Sequence, residues 1–439
     1  PLPSSLSFSP KDTTILLRQK LSRVFHGWWI VVIAFLVNAL TTGVYYQGMS
    51  IFLLPIQRDL EISRAAASLP ITVARLLGGL QGPAFGFLID KHGPARVLFA
   101  AAFLCGLGFI LLGFVDSYFL YFLVFVFVIS MGFQSGIDSP TMTAIGRWFV
   151  KKRTSALTWS GVGYPFGGAV IVPLLALGVG TFDWRITSIA LGGIIWALVL
   201  PLALRVKDSP ESMGLEPDGV LQSSSDGAPR APAYSQYDFS VREAMSTRAY
   251  WQLAINLGLR SMVWGAIGVH LVGIWADKGL SESTAGVLVG LTALMGMPMT
   301  LVFGWLAVRW TKRKALVLAD VMLASGFLFL LLIGQAHIWQ MVIVSIFWSP
   351  NQGVWSLSWA LLADVFGRKN FGTLRGGIIA IWSFMSFSTP FLAGLVFDET
   401  GSYTIVIAAA LLLGLINLAL DWTQPSEVLH QTQRQPVTL

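Results

Sequence analysis

The chain is 439 residues long, 55% hydrophobic and 12% charged, with a formal net charge of +7. Those proportions lie far outside the range of soluble domains, so an ordinary water-soluble enzyme or nucleic-acid-binding protein is excluded at the outset. The single cysteine, Cys105, excludes a disulfide framework, and five dispersed histidines without a phosphate-binding loop, metal-ligand cluster or nucleophile triad argue against catalysis, a metal or a cofactor.

A bilayer-spanning helix needs roughly 20 mostly apolar residues. Runs of that kind predict twelve spans, at about 27–49, 67–89, 96–114, 119–146, 155–178, 186–204, 249–274, 283–307, 315–334, 338–363, 376–397 and 402–421. Residues 1–20 are polar and carry no secretory signal, and a start at Pro1 rather than Met is read as a trimmed or unrecorded terminus. Most of the 29 basic residues fall in alternate loops and in the tails, leaving Arg58, Arg64, Arg185 and Lys278 on the other side. Because cytoplasmic loops retain Lys and Arg, this pattern places both termini in the cytoplasm and accounts for the net charge.

Residues 205–247 are rich in Pro, Ser, Gly and charge and lack apolar periodicity, so they are expected to link two six-helix halves. The resulting organisation is a cytoplasmic tail at 1–26, a six-helix bundle at 27–204, the cytoplasmic linker at 205–247, a second bundle at 248–421 and a cytoplasmic tail at 422–439. A short amphipathic surface helix is expected around Val241 to Thr247. Internal repetition supports the two halves: GFLIDKHGPAR at Gly86 to Arg96 follows the second span, and a degraded copy, GWLAVRWTKRK at Gly304 to Lys314, follows the eighth.

The string Gly86 to Arg96, with Gly86, Asp90, Lys91, Gly93 and Arg96, resembles the loop 2–3 signature of the major facilitator superfamily. The segments PESMGLEPDG (Pro210 to Gly219), RWFVKKRTSAL and GLVFDETGSY (Gly394 to Tyr403) are similar to its bacterial monocarboxylate and oxalate/formate antiporter branch. The resemblance implies an all-α membrane protein of two pseudo-symmetric six-helix bundles, cycling by alternating access. It also implies that spans one, four, seven and ten line the cavity. It makes Asp90 a gate latch, expected to accept hydrogen bonds from a facing helix amino terminus and from Arg96 or another basic group. Val308 occupies the matching position of the copy, so the second half should lack the same charge latch.

Ionised groups within a span are costly and usually face a cavity or a partner. Arg75 falls in the outer half of span two, about 22 Å from Asp90 at helical rise, and Arg260 lies in span seven. Either guanidinium suits a carboxylate substrate, and either could instead pair with a protein acid. Asn256, Arg260 and His270 share one face of span seven, which makes His270 a candidate for proton coupling. Ser130, Gln134, Asp138 and Thr141 share a face of span four, where Asp138 is a candidate proton carrier or an arginine partner. Span one offers Tyr45, Tyr46 and Gln47, and span ten offers Asn351, Gln352 and Trp355.

Departures from the branch are equally informative. Gln47, Gly296 and Thr300 stand where monocarboxylate transporters typically place Lys, Asp and Arg, and Gly377 to Phe397 contains no basic residue of the kind the oxalate exchanger has in span eleven. The expected function is transport of a small organic anion, a monocarboxylate above all, with H+ as a partner, by a monomer in contact with membrane lipid in a bacterial-type cytoplasmic membrane. An exporter of amphipathic or drug-like compounds and a non-transporting solute sensor are the alternatives.

Overall fold

A computed structural model describes residues 25–62, 64–219, 238–268, 270–335 and 337–424; helices dominate and no strand occurs among them. Each run expected to span the bilayer is helical. α1 is His26–Asp59, α2 Arg64–His92, α3 Pro94–Leu112, α4 covers 118–148, α5 is Arg153–Phe182 and α6 Trp184–Arg205. α7 is Arg248–Gly268 resumed after a break as Leu271–Asp277, α8 Glu282–Arg309 and α9 Lys312–Leu332. α10 comprises Ile338–Trp348 and Asn351–Phe366, α11 is Phe371–Thr400 and α12 Thr404–Thr423.

Among the described residues, eight helical segments are long and apolar enough to cross a membrane, or nine with α7 taken as one bent span. The other three fall short for visible reasons. α2 carries Arg75, Asp90 and two internal prolines, α4 counts only over Tyr118–Gly132 as a shorter apolar helix, and α10 is interrupted at Ser349 and Pro350. Leu80, Phe119, Leu332 and Phe384 are exposed on the outer surface. In water that would be a liability. In lipid it is the ordinary condition, because the tails are as apolar as the side chains.

Among the described residues, five stretches widen to π-type turns: Thr41–Tyr46 in α1, Val124–Ile129 and Phe133–Ile137 in α4, Gly167–Ile171 in α5 and Trp264–Gly268 in α7. Such widening redirects side chains and recurs at functional sites. Before the connecting segment α3 packs on α6 and α1 on α4 and α5, and after it α9 packs on α12 and α7 on α11 and α12. The two groups meet chiefly where α2 crosses α11 and where α5 meets α8 and α10.

At the α2–α11 crossing the backbones touch. A Cβ on Gly82 would lie 2.6 Å from the Gly376 carbonyl oxygen, and one on Gly86 would strike the Gly372 carbonyl. Dispersion contacts at such small-residue seams replace the hydrophobic effect that lipid does not supply.

The described parts of the connecting segment, up to residue 219 and from residue 238, carry local structure. Pro210–Met213 and Pro217–Gly219 form tight turns, and Val241–Met245 is a short helix closed by a capping box between Ser240 and Glu243. Both Asp218 carboxylate oxygens are used: they accept the backbone amides of Val150, Lys151 and Lys152 at 2.8–3.1 Å, just ahead of α5. Asp218 thus ties the turn at Pro217–Gly219 to the start of α5 by tertiary hydrogen bonds.

Candidate functional site

Tyr45 and Tyr46 sit in the widened turn of α1, and Gln134 sits in that of α4. Tyr45 is buried, with its ring stacked on Phe133 at 5.1 Å, and its hydroxyl accepts a hydrogen bond from Gln134 Nε2 at 2.9 Å. Tyr46 is turned the other way and is 43% exposed. Gln47 lies over Gly168 of α5. Arg75 is one turn from Gly79 on the α2 face that meets α11. It is exposed, makes no ion pair among the described residues, and is near enough to act electrostatically on both tyrosines.

Deeper, Asp138 opens the last helical stretch of α4 and is gripped from three directions. Arg375 Nη2 of α11 lies 3.1 Å from its Oδ2, the Tyr164 hydroxyl donates to the same oxygen at 3.1 Å, and the Ser139 hydroxyl donates to Oδ1 at 3.2 Å. Arg375 also donates to Ser139 Oγ and rests on the Trp359 ring, 4.6 Å from its centroid. Trp382 continues this aromatic wall to Trp355 with a centroid spacing of 4.9 Å. Neighbouring α10 residues close the wall: Gln352 packs on Gly296, and Asn351 is buried with its Oδ1 unpartnered.

Arg375 is the site residue that sequence reasoning missed. The expected span eleven began at 376, whereas α11 begins at Phe371. The first turn, FGTLR, is polar and basic, so it reads as loop by the rule that assigns basic residues to loops. The statement that span eleven lacks a basic residue is therefore corrected: Arg375 lies within α11 and is 2% exposed.

Three expected site residues lie elsewhere. Arg260 is 1% exposed: its Nη2 is 2.7 Å from Asp320 Oδ1 and 2.5 Å from Asp421 Oδ2, and its Nε donates to Asn256 Oδ1 at 2.9 Å. This ion cluster joins α7, α9 and α12. It gives no support to substrate contact by Arg260 or Asn256 and corresponds to the alternative of a protein-acid partner. His270 Nε2 is 2.9 Å from the Pro390 carbonyl and Nδ1 is 3.1 Å from the Tyr403 hydroxyl. A carbonyl only accepts, so Nε2 carries the proton and the ring bridges α7 to α11 and α12.

Where α2 ends, Asp90 accepts from the amino terminus of α11. Its Oδ2 takes the Thr373 amide at 2.7 Å and hydroxyl at 2.8 Å, while Oδ1 takes the Gly372 amide at 3.2 Å and Arg147 Nη2 at 3.1 Å. Its basic partner is thus Arg147 and not Arg96, which is exposed. Lys91 projects over the Phe87 ring at 5.7 Å. Gly93 takes a φ of +87°, a conformation natural only to glycine, against the Asp208 carboxylate.

The degraded copy lacks the acidic charge of the first turn. Val308 is 59% exposed and offers no charge. A second acid closes that side: Asp364 at the end of α10 pairs with Arg153 of α5 at 2.5 Å and with Lys312 of α9 at 2.7 Å. Arg368 reinforces it, donating to the Arg147 carbonyl at 2.6 Å and pairing with Glu211 at 3.2 Å. Every bond named here between helices on opposite sides of the connecting segment lies from Asp138 toward that segment.

Long apolar helices, lipid-facing side chains and two helix groups bridged by buried charge define a multi-pass membrane protein of carrier architecture. The Major Facilitator Superfamily model matches residues 31–235 and 253–438, and the chain belongs to that family. Human monocarboxylate transporter 2 is 24% identical, covering 90% of this chain and 86% of its own length. The glycerol-3-phosphate transporter of Bacillus subtilis (strain 168) is 22% identical over 86% of this chain and 89% of its own. The fold also matches the Major Facilitator Superfamily transporter FucP in its outward conformation, with a TM-score of 0.68 at 15% identity, over 90% of this chain and 98% of that one.

Proposed function

We propose that this chain carries a small organic anion, a monocarboxylate above all, across a bacterial-type cytoplasmic membrane by rocking two six-helix halves. Both termini and the connecting segment lie on the cytoplasmic side in this reading, so the bonds of Asp90, Asp364 and Arg375 close the cytoplasmic end. The observation that carries the proposal is the unpaired Arg75 guanidinium beside Tyr45 and Tyr46, above the Asp138–Arg375 pair that bridges the halves. An unpaired cation beside tyrosine and amide groups recognises a carboxylate better than a neutral solute.

The relatives support the substrate class, since a monocarboxylate and glycerol 3-phosphate are both organic anions. Asp138 is the proposed proton carrier. Its protonation would release Arg375, so a proton and an anion could be exchanged for the ion pair that holds the halves together. Uptake of labelled small carboxylates into proteoliposomes tests the reading: Arg75→Gln should raise KM at least tenfold, and unchanged uptake would remove Arg75 from the site.

A second reading, an exporter of amphipathic compounds, is favoured by the wall formed by Trp355, Trp359 and Trp382. Flux of an apolar cation unaffected by competing carboxylates would select it.

A further inference from the structure

The Arg260 cluster holds more acid than base. Asp320 and Asp421 are 0% exposed and Arg260 is 1% exposed. One guanidinium nitrogen stands between the two carboxyl groups, 2.7 Å from an Asp320 oxygen and 2.5 Å from an Asp421 oxygen, and so holds them side by side. Neither Asp320 oxygen accepts a well-aligned hydrogen bond, and Asp421 Oδ1 accepts none.

Among the described residues, the surrounding helices bring no second cation to the cluster. α7 contributes Arg260 and Asn256, and α12 contributes Asp421 with Asn417 one turn away on the same face. Of the other helices packed on this group, α11 aims Arg375 at Asp138, and α10 aims Asp364 at Arg153 and Lys312. Two ionised carboxylates against one guanidinium would leave one uncompensated charge away from water, which is expensive within a membrane protein.

We propose that Asp320 and Asp421 share one bound proton, making Arg260, Asp320 and Asp421 a neutral proton-binding site separate from the substrate cavity. The proton sits on one carboxyl oxygen and is donated to the facing carboxylate, while the guanidinium binds the remaining negative charge. Two carboxyls coupled in this way titrate as a pair. This inference does not depend on the nature of the substrate.

Infrared spectroscopy of the full chain in lipid at neutral pH tests it, with Asp138→Asn as the background so that the cavity acid is silent. A protonated-carboxyl carbonyl band should be present and should disappear in the further variants Asp320→Asn or Asp421→Asn. At least one of those substitutions should leave the unfolding temperature nearly unchanged, because an amide replaces a group that is already neutral. The double substitution strands Arg260 and should lower it by roughly 4 °C or more. Absence of the band in the Asp138→Asn protein, or its persistence in both single variants, would overturn the proposal. If neither single variant folds, the band in the background protein alone decides: its absence overturns the inference, and its loss only at pH well above neutral supports it.

Discussion

Asp90 and Thr373 are separated by most of the chain and joined by two hydrogen bonds, from the Thr373 amide at 2.7 Å and its hydroxyl at 2.8 Å to one carboxylate oxygen. The amino terminus of α11 presents unpaired amides and the positive end of its dipole, so an acid arriving from α2 satisfies both. A helix cap of this kind forms only while the two helix groups are in contact. Asp90→Asn keeps the shape but loses the charge, at about 1.5–3 kcal/mol for hydrogen bonds to an ionised acceptor. It should slow proteoliposome transport at least tenfold, whereas Val308→Asp, on an exposed surface, should change it little. Equal effects of the two would refute the asymmetry.

Helix contact at Gly82 and Gly376 has no room for a side chain. Gly82→Val should force α2 away from α11 and weaken the closure that Asp90 caps. Transport should fall, and a cysteine placed at Ser139 should react faster with an aqueous thiol reagent than in the parent, where Cys105 is buried and silent. An unchanged labelling rate would mean that the seam tolerates separation.

Arg153 is buried and pairs with Asp364 across the two groups. Removing one partner of a buried pair costs about 3–5 kcal/mol. Arg153→Met and Asp364→Asn should each lower the unfolding temperature, and the double variant should be less damaged than their sum by at least about 1 kcal/mol. Strict additivity in that cycle would show that the pair does not couple the helices.

Proton coupling at Asp138 predicts a change in pH response rather than a simple loss. In Asp138→Asn, uptake driven by an imposed pH gradient should disappear while substrate exchange at equal pH persists. Retained gradient-driven uptake would move the proton carrier elsewhere.

How far the sequence reaches is clear at Asp90. Its place in a charged, glycine-containing turn between apolar runs marks it as a partner for a facing helix end, and the helix end is there. The same reasoning named Arg96 as one possible basic partner, whereas Arg147 supplies the charge. Both arginines follow apolar runs, and only the packing of α2 against α4 distinguishes them. At Arg260 the residue type signalled a buried charge correctly, but not its partners. Asp320 lies inside the expected ninth span and Asp421 at the end of the twelfth, far along the chain from Arg260, and neither is singled out as its partner.

Apolar run length by itself determined a helical membrane protein, because it is a local property of the chain in a bilayer, and the motif at Gly86 to Arg96 carried the resemblance to the major facilitator superfamily. Which charges meet was decided only by tertiary structure. Asp138 with Arg375, Asp364 with Arg153, and Arg260 with Asp320 and Asp421 each depend on helix rotation and crossing. Those are set by close approaches such as Gly82 on Gly376 and by the widened turns of α1, α4, α5 and α7, neither of which a single span's sequence specifies.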